Sequence, residues 1–140
     1  MTPAAIAELM RPPPHNSTAD MISDEELARV AAFVREGRHD ADRHIERATA
    51  KAEGDAKRGA ELFQNICAMC HGFDGRLHDW GTKDAPAFVG TEAQAFPAEG
   101  LHKMRYAHPG AAMVSLRALP LQDAVDVLTY AHCRSSRRAR

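Results

Sequence analysis

The sequence predicts an all-α chain with long loops, and three observations carry that expectation. Apolar residues recur at helical spacing behind recognisable caps. Almost no alternating run is long enough for a strand. A long stretch from Gly72 to Gly100 keeps no periodicity at all.

The elements follow in chain order. Pro3 to Met10 reads as a short helix, with Thr2 as N-cap and Pro3 at the first helical position. Pro12-Pro13-Pro14 then forces an extended loop. Ser23 and Glu26 make a capping box. Leu27, Val30, Ala31 and Val34 follow on one helical face, with Phe33 beside them, and Gly37 stops the helix. Residues 38–53 are charged and alanine-rich, with Ile45 the one large apolar exception. They read as a solvated helix or a linker.

Gly59 to Ala68 is a short helix carrying Leu62, Phe63 and Ile66. The stretch from Gly72 to Gly100 is punctuated by glycine, proline and aspartate. A loop of that length in a compact domain needs an organiser such as a metal or cofactor. Leu101 to Tyr106 is another short helix, and His108-Pro109-Gly110 is a turn. Pro120 opens a last helix with apolar positions Leu121, Ala124, Val125, Leu128 and Ala131. Residues 134–140 form a basic tail.

Composition bounds the function. The net charge is −1 over 140 residues, with 26% charged residues, which excludes an overall basic nucleic-acid binder. No apolar run approaches the ~18–20 residues of a membrane span. Aromatics make up only 6%, so the chain has little apolar bulk of its own, and a bound cofactor could supply it. Three cysteines exclude a disulfide scaffold. The first ten residues lack a basic leader and a long apolar run, so they are not a secretory signal.

Residues 67–71 read Cys67-Ala68-Met69-Cys70-His71. Cys-x-x-Cys-His is the attachment motif of c-type haem. Positions i and i+3 share a helical face, so both thiols can form thioethers with one porphyrin. His71, next in the chain, can then reach the iron. Two other readings compete. One is a dithiol redox pair. The other is a zinc site of Cys67, Cys70, His71 and Cys133.

From Gly54-Asp55 through Gly59, Phe63 and Cys67 to Gly72, the chain resembles the first helix and haem site of class I cytochromes c. The resemblance covers residues 54–133. It implies a small helical bundle around one covalent haem c whose iron takes His and Met ligands. It implies that Gly59 and Phe63 meet Tyr130 where the first and last helices cross. It implies that Pro86, in Ala85-Pro86-Ala87-Phe88, accepts a hydrogen bond from His71, with Phe88 on the haem face where leucine is common. His108 to Met113 resembles the distal methionine loop. Met113 is then the sixth ligand, with Val114 in place of the family's usual proline. Rivals are His102, Met104 and His108. Trp80 is a donor to a haem propionate or a packing residue.

The start of the chain resembles part of a second such domain. Ile22 to Val34 aligns without gaps onto Leu119 to Ala131, placing Phe33 on Tyr130 and Val30 on Val127. Residues 1–37 are therefore read as the late half of a sister domain, with Met21 as a former ligand position that serves no iron here. Residues 38–53 are read as a linker and 134–140 as a tail. Residues 1–37 would contact another chain or a missing haem domain. The resemblance implies an electron carrier rather than an enzyme, working with redox partner proteins. The alternatives are a haem subunit of a periplasmic oxidoreductase, or a haem with an open sixth site. Haem attachment outside the bacterial cytoplasm implies a periplasmic location and an N-terminus that is incomplete.

Overall fold

A computed structural model describes residues 2–12, 21–37, 41–108 and 110–135. The chain divides into two compact units, 1–39 and 40–140.

The first unit holds α1 (Pro3–Leu9) and α2 (Asp24–Ala32), the latter continued by a π-helical turn over Phe33–Gly37. The caps are as expected. Thr2 Oγ1 accepts from the Ala5 amide at 3.2 Å. Ser23 Oγ accepts from the Glu26 amide at 3.3 Å, and Glu26 Oε2 accepts from the Ser23 amide at 2.8 Å. An Arg11–Asp24 ion pair joins α1 to the start of α2. Only two side chains of α2 are buried, Leu27 and Ala31, while Val30, Phe33 and Val34 are exposed. Pro13 and Pro14 lie outside the described residues, as do Pro109 and residues 136–140 of the basic tail.

The second unit begins with a difference from the sequence reading. Residues 41–53 are neither a helix nor a loose linker. A 3-10 turn (Ala41–Arg43) leads into a two-stranded hairpin, β1 (Ile45–Glu46) and β2 (Lys51–Ala52). Ile45 pairs with Ala52, and both are buried in the main core. Two inward residues on a hairpin leave no helical periodicity to read, so charge and alanine dominated the pattern.

α3 (Ala56–Leu62) follows, capped by Asp55, whose carboxylate accepts from the Lys57 and Arg58 amides at 2.8 and 3.2 Å. It continues through a π-helical turn (Phe63–Cys67) into α4 (Ala68–His71). Such a turn displaces an amide from its usual acceptor. Here the Asn65 side chain donates to the Glu61 carbonyl at 2.7 Å. α5 (Val89–Ala95), α6 (Pro97–Tyr106) and α7 (Leu121–Ser135) complete the unit. The sequence reading missed α5 and began α6 a turn late. α5 buries Gly90 and Ala93, which carry no apolar bulk to betray a helix.

α7 is the hub, with α3, α5, α6 and β2 packed on it. Its Ala124, Val125, Leu128 and Ala131 enter the core with Leu101 and Ala93. α3 crosses α7 at Gly59, and the rings of Phe63 and Tyr130 meet there at 5.4 Å.

A polar clasp locks the same crossing. Asp126, 2% exposed, accepts from the Asp55 amide at 2.9 Å and from Gln122 Nε2 at 2.8 Å. Arg58 Nη2 donates to Asp123 Oδ1 at 2.6 Å, and its Nε lies 3.4 Å from Asp126 Oδ2. The Gly54 amide donates to Thr129 Oγ1 at 3.0 Å. Asp126→Ala takes the acceptor from the part-buried Asp55 amide and removes a buried charge from this network. It should cost about 2–4 kcal/mol of stability in urea unfolding of the holoprotein. A loss below about 0.5 kcal/mol, the scale of a neutral surface change, would contradict the clasp.

Candidate haem site

The second unit opens a cleft lined by Ile66, Cys67, Cys70, His71, Met104, Ala112, Met113, Val114 and Leu116. The wall is almost wholly apolar. Four of the six residues expected at the site, Cys67, Cys70, His71 and Met113, line it together.

The geometry of the Cys-x-x-Cys-His run follows from its helix. Cys67 closes the π-helical turn, and Cys70 and His71 sit on α4 one turn further on. Gly72 then ends the helix at φ +79°, a conformation glycine adopts without penalty. Cys67 is half-buried, and burial, with a smaller push from Cys70, raises its thiol to about 11. Cys70 is exposed, and neither thiol is in a disulfide. Burial, with a smaller contribution from nearby His78, lowers the His71 pKa below the ordinary histidine value. The neutral imidazole that ligates metals is thereby favoured.

His71 Nδ1 is buried and has no hydrogen-bond partner. The expected bond from His71 to the Pro86 carbonyl is therefore not made. The reason lies in the segment that carries Pro86, which closes on itself. Asp79 Oδ1 accepts from the Gly81 and Ala87 amides, both at 2.9 Å, and the Trp80 amide donates to the Ala87 carbonyl at 2.8 Å. Pro86 is exposed on this hairpin. The ring that meets His71 is Trp80, at 5.9 Å, with His78 edge-on to His71 at 6.2 Å. Phe88 is half-buried under the Arg76 guanidinium, 4.3 Å from its ring centre.

Of the other lining residues, Met113 is half-buried and Val114 is 65% exposed. Of the three rivals only Met104 lines the same cleft. His102 stacks on Tyr106 at 4.8 Å and His108 is exposed. Cys133 lies apart from the other cysteines, in a second cleft with Lys51, Ala52, Gln94, Thr129 and His132. Among the described residues no group of three or more His, Cys, Asp and Glu is placed to hold a metal ion.

The sequence reading missed two residues that shape the site. Gln64 Nε2 donates to the Phe73 carbonyl at 3.0 Å, tying the turn after His71 back to the helix. Arg105 reaches the carbonyls of the segment after Met113. A long polar side chain at a helix end gives no periodic mark.

These residues fit a haem. Two cysteines one turn apart, an imidazole with a buried unpaired nitrogen, and a thioether share one apolar cleft. When bound, the haem would supply a one-electron iron couple, while the chain supplies ligands, orientation and exclusion of water.

No curated protein and no solved structure matches the chain. Residues 54–130, more than half of the 140, match the family model described as cytochrome C oxidase, cbb3-type, subunit III. The chain belongs to this cytochrome c family, and so to the haem proteins that transfer electrons.

Proposed function

We propose that this chain is a c-type cytochrome that passes single electrons through one covalently bound haem c. Cys67 and Cys70 form the thioethers, and His71 and Met113 are the axial ligands of the iron. The observation that carries the reading is the shared cleft: Met113 is distant from Cys-x-x-Cys-His in sequence yet lines the same apolar wall. A thioether sixth ligand raises the potential and opposes exogenous ligands. Phe88, half-buried between Arg76 and the unit, packs beside the haem. The protein works in the periplasm with redox partner proteins, as haem attachment outside the cytoplasm requires.

Residues 1–37 are the late half of a second cytochrome domain that contacts another chain or a further haem domain. The burial pattern supports this. α2 buries Leu27 and Ala31, which align with the buried Ala124 and Leu128. It exposes Val30 and Phe33, aligned with Val127 and Tyr130, the pair that packs with Phe63 of the second unit. The name of the matched family favours a second reading, a haem subunit of a larger oxidoreductase. Co-purification of the natural protein with redox-enzyme subunits would select it.

A pyridine haemochrome assay should return one haem c per chain. Oxidised protein should show a weak far-red charge-transfer band that Met113→Ala abolishes, and the reduced wild type should resist carbon monoxide. Persistence of the band in Met113→Ala overturns the ligand assignment, and persistence in Met113→Ala but not in Met104→Ala moves it to Met104.

A further inference from the structure

The segment that carries Met113 has no secondary structure of its own, yet it is pinned to the end of α6 from both directions. α6 ends at Tyr106, and Ala107 reverses the chain at φ +67°, a region alanine rarely occupies. The last carbonyls of a helix lack intrahelical donors. Here the returning loop supplies them. The Leu116 amide donates to the Met104 carbonyl at 2.9 Å, and Ser115 Oγ donates to the Arg105 carbonyl at 2.7 Å. In exchange, the Arg105 guanidinium donates to the loop's own carbonyls. Nη1 reaches Leu116 at 2.8 Å and Leu119 at 2.5 Å, and Nη2 reaches Arg117 at 3.4 Å.

Among the described residues these three carbonyls are the hydrogen-bond acceptors of Arg105. A half-buried cation held by backbone oxygens fixes backbone position, because each acceptor belongs to the main chain. The rigid planar fork suits several acceptors at once, where the lysine ammonium is a single point. The pinned stretch starts two residues beyond Met113, and Leu116 within it and Met104, whose carbonyl Leu116 bonds, both line the cleft.

We propose that Arg105 is a positioning residue for the sixth iron ligand. It holds the 115–119 segment against α6 so that Met113 stays at the iron and exogenous ligands stay out. The proposal rests on Met113 being that ligand. A loop that leaves the iron part of the time offers the site to competitors in proportion to the open fraction, so apparent affinity for an added ligand measures the pinning.

The test is imidazole titration of the full-length ferric holoprotein, followed by the far-red band and the Soret shift. Arg105→Ala should bind imidazole about tenfold more tightly than wild type, and Arg105→Lys about threefold, as the open fraction rises. Met113→Ala, with no competing thioether, sets the upper limit. If Met113→Ala keeps the far-red band, the ligand reading fails first and the proposal falls with it. If Met113→Ala loses the band but both Arg105 variants bind imidazole like wild type, Arg105 does not position the ligand, even where thermal stability drops. Should Arg105→Ala yield no holoprotein, Arg105→Lys decides by the same criterion.

Discussion

A Gly59→Ala chain is expected to lose at least about 3 kcal/mol of stability, and Gly59→Val is expected not to fold, out of a typical total of about 5–15 kcal/mol. In an exposed helix the alanine change would stabilise by about 1 kcal/mol, because glycine costs that much helix propensity. Here the sign reverses. A Cβ on Gly59 would sit 1.9 Å from the Asp126 carbonyl oxygen, 2.4 Å from its carbon and 3.0 Å from Tyr130 Cβ. The first two are main-chain atoms of α7, so no side chain can rotate away. Relief requires α3 to lift off α7, and with it go the Phe63–Tyr130 contact and the Asp126 clasp. Gly100 in α6 is the control. A Cβ there would meet Leu128 Cδ1 at 3.4 Å, an ordinary contact, so Gly100→Ala should be neutral or slightly stabilising. Urea unfolding of the holoproteins, followed by circular dichroism, checks both. A Gly59→Ala midpoint equal to that of wild type would show that the helices do not cross as described.

What the sequence made legible, and what it hid, divides along physical lines. Interactions local in the chain are readable. The capping box at Ser23 and Glu26, the cap at Thr2 and the helical run from Leu121 each depend on residues within a turn of one another. The Gly59–Phe63–Tyr130 crossing was legible only through resemblance, since nothing in the spacing says which helix Gly59 will touch. The site split in the same way. Cys67, Cys70 and His71 form a contiguous motif, whereas Met113 needed the family's loop as a guide. α5 stayed hidden because it packs with glycine and alanine, and the hairpin because its inward residues are only Ile45 and Ala52. Pro86 is a different case. Resemblance supplied an acceptor for His71, but the Asp79 and Trp80 hydrogen bonds close the 79–87 segment on itself and leave Nδ1 without it. Arg105, Asp123 and Asp126 were illegible for a common reason, being charged residues that each bind a partner more than ten positions away.

Cys67→Ser/Cys70→Ser should retain no haem on a haem-stained denaturing gel, and its haem-free chain should unfold without a cooperative transition. The first result follows from the proposed thioethers. The second follows from the core. Of the buried hydrophobic residues described in the second unit, five are alanine: Ala52, Ala68, Ala93, Ala124 and Ala131. The large ones, among them Leu101, Leu116, Leu128 and Phe63, gather around α7 and the rim of the cleft. Without the haem, the apolar side chains of the cleft wall lose the partner that would bury them, and a single such side chain is worth about 1.5–3 kcal/mol when fully buried. A domain of this size with so much alanine has little surplus to absorb such a loss. Covalent attachment makes the haem's binding energy part of the folding energy, so the two changes should appear together. Single substitutions separate the roles: Cys67→Ser removes the half-buried thiol beside Ile66 and Met104, and Cys70→Ser an exposed one. Each single variant should keep one thioether, and so haem stain, at lower yield. Haem stain surviving in the double variant would overturn covalent attachment through these cysteines. A haem-free chain that unfolds cooperatively at the wild-type midpoint would show instead that the alanine-rich core suffices alone.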